Sequence, residues 1–363
     1  MSVSAFTVMA SAMAAVRVVS TAPRPPAAAV ASDWNVTEHY GLHGGVRLSD
    51  VVVWRNRAYA CVPRLDGRQP VTLLELPWPE VADPTAAADP TRNWRPRKTF
   101  RADQQKLRHC QHVQSAVAVD LDKIRGHLYV LDAGYEECQP KVVVYGLKAF
   151  KTVQLAELGG ANVSDMSTLA VDARPLKGET RVYIGSRRGG YITVFDPGEG
   201  GWHRISLSSL DGENEVPVEF LAVSKLQSLV YFTSALSHSL YSASLRDLRN
   251  LTSYVKPGVK SGDTIPGELP VRCEGTKLGI SRGLYVDIQG GTNYVYARDF
   301  AAVRWTPSMG LSAEKHTVML QSRDQLPAVV KICADNTYLQ VWAINGKPNA
   351  DHRYTVKINT LNF

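Results

Sequence analysis

The 363-residue sequence lacks most of the short motifs that identify common enzyme classes. No P-loop, EF-hand loop or HExxH is present, so neither a kinase nor a metalloprotease is predicted, and a conventional hydrolase is not expected. Cysteine is sparse: there are five, and none forms a CxxC pair, which excludes a zinc ribbon and a thioredoxin motif. No cofactor and no metal site are predicted, so any site must be assembled by the fold.

Clustered charge and long apolar runs are also missing. The formal charge of +7 is spread along the chain, and the single basic run, "WRPRKTFRADQQKLR" from Trp94 to Arg108, is interpreted as a solvated loop. Without a binding motif, this run does not predict a nucleic-acid partner. The apolar residues 1–22 are too few and too weakly apolar to span a membrane, so no membrane partner is predicted. We expect a globular monomer.

The N-terminus has the small and apolar residues of a signal peptide, and Ser20-Thr21-Ala22 resembles a cleavage site. No Lys or Arg precedes the apolar stretch, and Arg17 interrupts it. We therefore interpret residues 1–32 as a degraded or misassigned signal peptide with a linker, the alternative being a folded segment. Three sequons predict N-glycosylation of a secreted, extracellular protein, at Asn35, Asn162 and Asn250.

A pattern of short strands recurs through the rest of the chain. Each copy has an aliphatic strand, a turn rich in Asp, Lys, Arg or Gly, and a second strand with an aromatic residue near its start, as in "SLVYFTSALSHSLYSASL" from Ser228 to Leu245. The copies are centred on Tyr59, Tyr129, Tyr183, Tyr231, Tyr285 and, more loosely, Val341. In three copies a third strand is predicted to follow directly, at "YITVFDP", "HSLYSAS" and "NYVYARD".

Repeats of about 50 residues with several strands each are typical of propeller blades. The six copies predict an all-β fold for residues 33–363, a single six-bladed β-propeller domain with a central tunnel. The segments "VAVD", "LAVD" and "LAVS" lack strict polar alternation, which predicts inner strands. We expect "DWNVTEHY" (Asp33 to Tyr40) and the final "HRYTVKINTLNF" to complete one blade together. A pair of large β-sandwiches, the rival fold, does not explain the regular recurrence.

The order of these segments resembles the yellow and major royal jelly protein family of arthropods. "DWNVTEHYG" is similar to the family's initial strand and "DVVVWRNRAYACVPRLDG" to its first-blade signature. "HLYVLDAG", "CQPKVVVYGL", "YFTSALSHSLYSAS" and "LQVWAIN" resemble later family segments in the same order. Together these segments cover residues 33 to about 345. The chain departs from the family pattern after Pro77 and at "NYVYARD", as a divergent member would.

The resemblance implies a disulfide between Cys110 and Cys138, which match positions that the family joins. Cys273 and Cys333 could then form a second bridge, which would leave Cys61 as a buried thiol. A metal site at "RHCQH", Arg108 to His112, would conflict with the implied disulfide, because a bridged sulfur is not available as a thiolate ligand.

Two further patterns can be interpreted either as functional residues or as structural ones. Asp120 and Asp122 in "VDLD" face the same side of a strand and could hold calcium or act as acid and base, but a strand-end turn is the simpler interpretation. His238 in "SHSLY" could polarise a catechol or indole hydroxyl, or satisfy backbone groups in a hairpin turn.

The resemblance implies two functional classes. One is a secreted binding protein whose tunnel takes small aromatic ligands such as biogenic amines, catechols or indoles, as the family's salivary members do, with a role in cuticle pigmentation. The other is a dopachrome-converting, tautomerase-type enzyme of melanin synthesis. A structural or nutritive secretion is a third alternative. The sequence shows no tuned acid–base pair, so we favour binding and leave catalysis open.

Residues at the starting ends of the inner strands are expected to line the tunnel mouth: Gln114, Ser115, Ser167, Thr168, Glu219, Phe220, Lys277 and Pro327. Ligand binding is predicted for Thr168, Glu219, Phe220 and Lys277, and for Asn345, which matches a family asparagine. Glu219 would pair with a protonated amine, and Phe220 would stack on its ring. The alternatives are a solvated Glu219 and a Phe220 that packs within its blade.

Overall fold

The computed structural model describes residues 30–35, 42, 47–55, 57–64, 69–78, 102–174, 180–212, 215–253, 259–334, 340–345 and 352–360. Strands dominate these residues, and none of the helices among them is long and apolar enough to cross a membrane. Residues 1–29 of the predicted signal segment, and the part of the predicted basic run before Ala102, lie outside the described ranges.

The strands form six groups, within which neighbouring strands pair antiparallel. Group 1 contains β2 (Asp50–Trp54), β3 (Arg57–Cys61) and β4 (Leu73–Pro77). Group 2 contains β5 (Ala116–Asp122), β6 (His127–Asp132), β7 (Lys141–Gly146) and β8 (Lys151–Glu157). Group 3 contains β9 (Met166–Asp172), β10 (Arg181–Ser186), β11 (Tyr191–Phe195) and β12 (Trp202–Ser209).

The second half of the chain contains the other three groups. Group 4 contains β13 (Phe220–Ser224), β14 (Leu229–Thr233), β15 (Ser239–Ser244) and β16 (Thr264–Thr276). Group 5 contains β17 (Ser281–Val286), β18 (Thr292–Tyr296), β19 (Ala301–Trp305) and β20 (His316–Gln321). Group 6 contains β21 (Val329–Ala334), β22 (Gln340–Asn345), β23 (His352–Thr360) and, from the start of the chain, β1 (Val30–Asn35).

The first strands of the groups touch one another in a closed cycle, in the order β2, β5, β9, β13, β17, β21 and β2 again. A hydrophobic cluster lies between each pair of consecutive groups, and the cluster between groups 6 and 1 includes Trp342 and Trp78, whose rings meet edge to face at 5.7 Å. Each inner strand is therefore covered on both faces, which explains why "VAVD", "LAVD" and "LAVS" lack polar alternation. The predicted all-β, propeller-like fold is confirmed.

Segments from the beginning and the end of the sequence meet in group 6, as predicted, but β1 begins at Val30, within the predicted signal and linker segment, and residues 36–40 lie outside the described ranges. β1 pairs antiparallel with β23, with Trp34 opposite Arg353, and β23 in turn pairs with β22. A segment from the N-terminus thus completes the last group, so that the ring is held closed by a strand pair as well as by the hydrophobic clusters.

One long strand joins two groups in a way that the sequence did not predict. β16 pairs antiparallel with β15 and parallel with β12, so that groups 3 and 4 form a single eight-stranded sheet. Group 1, by contrast, shows three strands in the described residues. Because groups 3 and 4 share a sheet and group 1 is short, the count of six blades stays a prediction.

The recurring tyrosines occupy one structural position in four of the groups. Tyr59, Tyr129, Tyr183 and Tyr231 are buried in the second strand of groups 1 to 4. The fifth assignment was wrong: Tyr285 lies in β17, the first strand of group 5, and Tyr294 in β18 takes the buried position. For the same reason "NYVYARD" forms the second strand of its group and not the third. A register shift in β17 between Arg282 and Tyr285 disguises the repeat.

A short helix, α1 (Leu245–Ser253), connects β15 to β16. The Ser244 hydroxyl accepts a hydrogen bond from the Asp247 backbone N–H at 3.2 Å, which caps the helix start. Arg249 donates two hydrogen bonds to the Asp172 carboxylate, at 2.6 and 2.7 Å. This bidentate pair holds the helix of group 4 against the inner strand of group 3.

Candidate functional site

The ring of inner strands has two ends, which differ in construction. We call the end where the inner strands begin the start face, and the end where they run into the turns of their hairpins the turn face. Thr168, Glu219, Phe220 and Lys277 all lie at the start face. Asn345 lies there too, because its β22 position is paired with Val329 at the beginning of β21; its side chain is outside the described structure.

The structure brings three of the predicted ligand residues together at the start face. The Ser167 and Thr168 hydroxyls donate to the Glu219 carbonyl oxygen at 2.6 and 2.9 Å, which ties β9 to β13. The Glu219 carboxylate accepts a hydrogen bond from the Ala235 N–H at 2.8 Å through Oε2. Phe220 is half-buried against the cluster between groups 4 and 5. Glu219 therefore keeps Oε1 for another donor.

Lys277 is buried next to these residues at the start face. Its Nζ donates to the Thr233 and Ser281 hydroxyls, both at 2.7 Å, and Thr233 is the β-partner of Phe220. The side chain is 1 % exposed, and burial lowers the pKa of Lys277 to about 7. Its two hydrogen bonds link groups 4 and 5, and the lowered pKa makes its charge sensitive to pH near neutrality.

Ser281 belongs to a GxSxG pattern, residues 279–283, which is found around the nucleophile of many serine hydrolases. A serine beside a near-neutral lysine is the arrangement of a Ser–Lys nucleophile pair. Ser281 is only 1 % exposed, however, and it begins a strand rather than the strand–turn–helix elbow in which this pattern activates serine. The pair therefore supports the fold.

Gln114 and Ser115, expected at the tunnel mouth, are buried structural residues. The Asp132 carboxylate accepts from both of their backbone N–H groups, at 2.8 and 2.7 Å. The Gln114 side chain binds three loop carbonyls, which include that of His112. Pro327 is half-buried just before β21.

A cavity of about 400 Å³ occupies the turn-face half of the ring. We call it the turn-face cavity; its walls come from all six inner strands, mainly residues 51–53, 120–121, 169–171, 221–223, 284–288 and 331–334. It reaches solvent beside Lys225, Leu226 and Ile288, of which Leu226 is 68 % exposed. Thr168, Glu219, Phe220 and Lys277 do not line it.

Asp120 and Lys331 place opposite charges in the turn-face cavity. Asp120 accepts a hydrogen bond from the Val171 N–H at 2.7 Å through Oδ2. Burial raises the pKa of Asp120, although the Lys331 ammonium opposes that rise. For Lys331, burial alone would lower the pKa, but the carboxylates of Asp50 and Asp120 outweigh it and raise the pKa above its usual value.

Asp50 anchors Lys331. The Lys331 Nζ lies 2.8 Å from Asp50 Oδ1, and the same carboxylate accepts from the N–H groups of Val51 at 2.9 Å and Val119 at 3.0 Å. Asp50 on β2 therefore links β5 on one side to β21 on the other. Asp50 does not line the cavity, whereas Asp120 and Lys331 do.

The sequence pointed to Asp120 but not to its partners. "VDLD" indicated paired carboxylates, yet Asp122 is buried and accepts from the N–H groups of Ile124 and Arg125, as expected for a turn. Lys331 and Asp50 had no sequence signal, because 281 residues separate them and ring closure alone brings them together.

The cysteine predictions divide. The Cys110–Cys138 disulfide is confirmed, and Cys61 is a buried thiol, as expected. A Cys273–Cys333 bridge was wrong: both residues are described, and they lie on β16 and β21 of different groups without forming a disulfide. Within the described residues no group of three His, Cys, Asp or Glu side chains could hold a metal ion.

The remaining predicted residues are accessible. His238 is exposed in the turn before β15. Asn162 and Asn250 are exposed, and Asn250 borders an outer hollow of about 380 Å³ between α1 and β16, remote from the inner strands. Asn35 lies in β1, with a side chain outside the described structure. Glycosylation at the three sequons stays a prediction.

Comparison with known proteins adds a family. A family model described as Major royal jelly protein matches residues 114–363. Major royal jelly protein 6 of Apis mellifera is 23 % identical over 242 residues, which cover 59 % of this chain and 51 % of that protein. Major royal jelly protein 1 of the same species is 21 % identical, over 55 % of this chain and 50 % of that protein. The chain spans about half the length of these curated relatives.

Two solved structures are loosely similar. The extracellular domain of a putative one-component system from B. thetaiotaomicron has a TM-score of 0.46 and 11 % identity, over 87 % of this chain and 33 % of that one. The WD40 repeats of RRP9 have a TM-score of 0.47 and 8 % identity, over 92 % and 99 %. These likenesses are too distant to carry an argument, so the architecture rests on the strand pairing.

Proposed function

Because the chain belongs to the major royal jelly protein family, we propose that it is a secreted protein whose tunnel binds small aromatic ligands such as biogenic amines, catechols or indoles. The observation that carries this proposal is the turn-face cavity, with apolar walls and the Asp120 carboxylate. Its volume of about 400 Å³ is within the range of small-molecule sites. An aromatic ring would lie against the aliphatic walls, and an ammonium group would contact Asp120.

The start face offers a second anchor for the same ligand class. Glu219 has one carboxylate oxygen bonded to Ala235 and the other left for an ammonium group, next to the half-buried ring of Phe220. We propose that Thr168, Lys277 and Asn345 border this position. A ligand held there would be near the opposite mouth of the tunnel from one held at Asp120.

Titration calorimetry with matched ligands tests the proposal and locates the anchor. Dopamine and tryptamine carry a cation, and catechol and 3-methylindole are neutral counterparts. Removing the carboxylate charge that holds the ammonium should weaken the cationic ligands by about 1–3 kcal/mol and barely affect the neutral ones. The variants are Asp120→Asn and Glu219→Gln, with the exposed Glu157→Gln as the control. Failure of every ligand to bind the unaltered protein would end the proposal.

A second function, dopachrome conversion by tautomerisation, is favoured by one specific observation. Asp120, with its raised pKa, and the Lys331 ammonium face the same cavity, so one could take a proton from a ring carbon while the other stabilises the developing oxyanion. Product analysis after incubation with dopachrome tests it. Turnover that disappears in Asp120→Asn but persists in Glu157→Gln would support an enzyme, and turnover unchanged in Asp120→Asn would exclude this mechanism.

Export, glycosylation and a role in cuticle pigmentation are parts of the same proposal. The Cys110–Cys138 disulfide supports export, because such bonds persist in oxidising compartments, and exposed Asn162 and Asn250 could carry glycans. Expression of the full chain in insect cells should yield protein in the medium that loses mass on treatment with an N-glycosidase. Retention of all the protein inside the cells would contradict export.

A further inference from the structure

The turn-face cavity contains an acid and a base at similar depth, Asp120 and Lys331, and its other charged residues, Lys123, Lys225 and Asp287, each directly follow the end of an inner strand. Asp120 is two residues from the turn-face end of β5, and Lys331 is three residues from the end of β21. At about 3.3 Å per residue, both lie about 7–10 Å below the strand ends. They belong to groups 2 and 6, on either side of β2. The two residues therefore line the cavity from the strands on either side of β2.

Both groups keep hydrogen-bonding capacity toward the cavity. Asp120 uses Oδ2 for the Val171 N–H, and a carboxylate has about four acceptor positions. Lys331 uses one donor for Asp50, and an ammonium has three. The Lys331 side chain is 22 % exposed, and that exposure is to the cavity it lines. Although both residues are described, Asp120 and Lys331 form no direct ion pair with each other.

We propose that the turn-face cavity binds an aromatic amino acid as its zwitterion, with the ammonium group on Asp120 and the carboxylate on Lys331. The inference rests on the proposed function and narrows its ligand class. A decarboxylated amine would leave the remaining Lys331 donors without an acceptor in an apolar cavity, which costs free energy. An aromatic acid without an amine would instead bring a second negative charge beside Asp120. The zwitterion satisfies both groups at once.

The rest of the cavity agrees with this ligand. The walls contain Leu169, Leu221 and Leu284, which give an aromatic side chain an apolar surface. The mouth carries Lys225, an exposed cation that attracts rather than repels a carboxylate.

The test compares three ligands that share an indole ring and differ only in their charged ends: L-tryptophan, tryptamine and indole-3-propionate. In the unaltered protein, tryptophan should bind at least about tenfold more tightly than either of the others. Lys331→Gln should weaken tryptophan by roughly ten- to a hundredfold and leave tryptamine unchanged. Asp120→Asn should weaken both ligands that carry an ammonium group. Lys151→Gln, at an exposed lysine of the outer strand β8 that does not line the cavity, is the matched control and should change each affinity less than about threefold.

The outcomes separate this inference from the proposed function. If tryptamine binds the unaltered protein as tightly as tryptophan, the zwitterion inference fails and the proposed function stands. If tryptophan, tryptamine and their catechol counterparts all fail to bind, both fail. The ligand comparison in the unaltered protein needs no variant, so an unfolded Lys331→Gln would not rescue the inference. Lys331→Arg, which keeps the charge, should retain the preference for tryptophan.

Discussion

The start face and the turn face of the ring differ in how the polar side chains of the inner strands are arranged. At the start face, hydroxyls, backbone carbonyls and the near-neutral Lys277 bond to one another across groups 3, 4 and 5. Nearer the turn face, the inner strands enclose a cavity that is lined by the acid Asp120 and the base Lys331. At the start face the polar groups bond to one another, whereas nearer the turn face two oppositely charged groups line an open cavity.

This difference indicates where function and stability reside. A buried polar group whose hydrogen bonds are all made within the protein stabilises a single packing arrangement. A charged group that lines a cavity has hydrogen-bonding positions left, and a ligand of opposite charge can occupy them. We therefore expect substitutions at the start face to change mainly stability. Substitutions of Asp120 should change mainly binding, whereas those of Asp50 and of its ion partner Lys331 should also change stability.

The largest effect is expected for Asp50→Ala. The substitution leaves the Lys331 ammonium without its ion partner and removes the acceptor for the N–H groups of Val51 and Val119. The free energy of unfolding in urea should fall by about 3–5 kcal/mol, the range for breaking a buried ion pair from one side. The double substitution Asp50→Leu with Lys331→Met should recover part of this loss. A loss below about 1 kcal/mol would show that water in the cavity solvates Lys331.

The Cys110–Cys138 disulfide should give the next largest effect. It joins the segment before β5 to the segment after β6 and closes a loop whose ends are 28 residues apart. Replacing both cysteines by serine should lower the free energy of unfolding by about 2–4 kcal/mol, because the unfolded chain regains the entropy that the loop removes. Cys61→Ser, at a buried thiol, is the comparison that removes no disulfide. An unchanged midpoint in the double variant would mean that the segments are held by their hydrogen bonds alone.

Lys277→Met should stabilise the protein, and the effect should depend on pH. In the folded state the pKa of Lys277 is about 7, whereas the unfolded side chain has its ordinary value of 10.5. Between pH 7 and 10 the unfolded chain therefore binds more protons, and the stability of the unaltered protein should rise with pH. The variant lacks this dependence and should be more stable at pH 7 by about 1–3 kcal/mol, after the loss of two hydrogen bonds to hydroxyls.

Urea unfolding of both proteins at pH 7, 8.5 and 10 measures the difference. The gap between Lys277→Met and the unaltered protein should narrow as the pH rises. A gap that is constant with pH would show that Lys277 has the same pKa in the folded and unfolded states, so that burial at the start face does not lower it.

The sequence was sufficient for the features that depend on local pattern. Aliphatic runs, turns and buried tyrosines predicted the hairpins of groups 1 to 4, and the resemblance implied the disulfide. The parallel pairing of β12 with β16 was not predictable, because it depends on a long connection that returns to a neighbouring group. Tyr285 was misplaced because β17 itself contains an aromatic residue and a register shift.

The candidate site likewise contains residues that the sequence could predict and residues that it could not. Thr168, Glu219, Phe220 and Lys277 were expected to share one face because each stands at the beginning of an inner strand, and the structure places them there. Whether a side chain reaches the cavity depends on its layer in the ring and on what its neighbours in other groups leave open. Asp50 and Lys331 meet only after the first and last groups join, so no local pattern could indicate their pairing.

The smallest effect expected is that of Ser167→Ala. Its hydroxyl donates to the Glu219 carbonyl oxygen, but the Thr168 hydroxyl donates to the same atom, so the acceptor stays satisfied. The free energy of unfolding should fall by about 0.5–1 kcal/mol, the net contribution of one neutral hydrogen bond. Ser167→Ala with Thr168→Ala should cost more than the sum of the two single substitutions, because the half-buried carbonyl then loses both donors. Urea unfolding of the three variants gives this coupling directly. Strict additivity would show that solvent replaces the lost donors, and the start face would then be as open to water as the turn face.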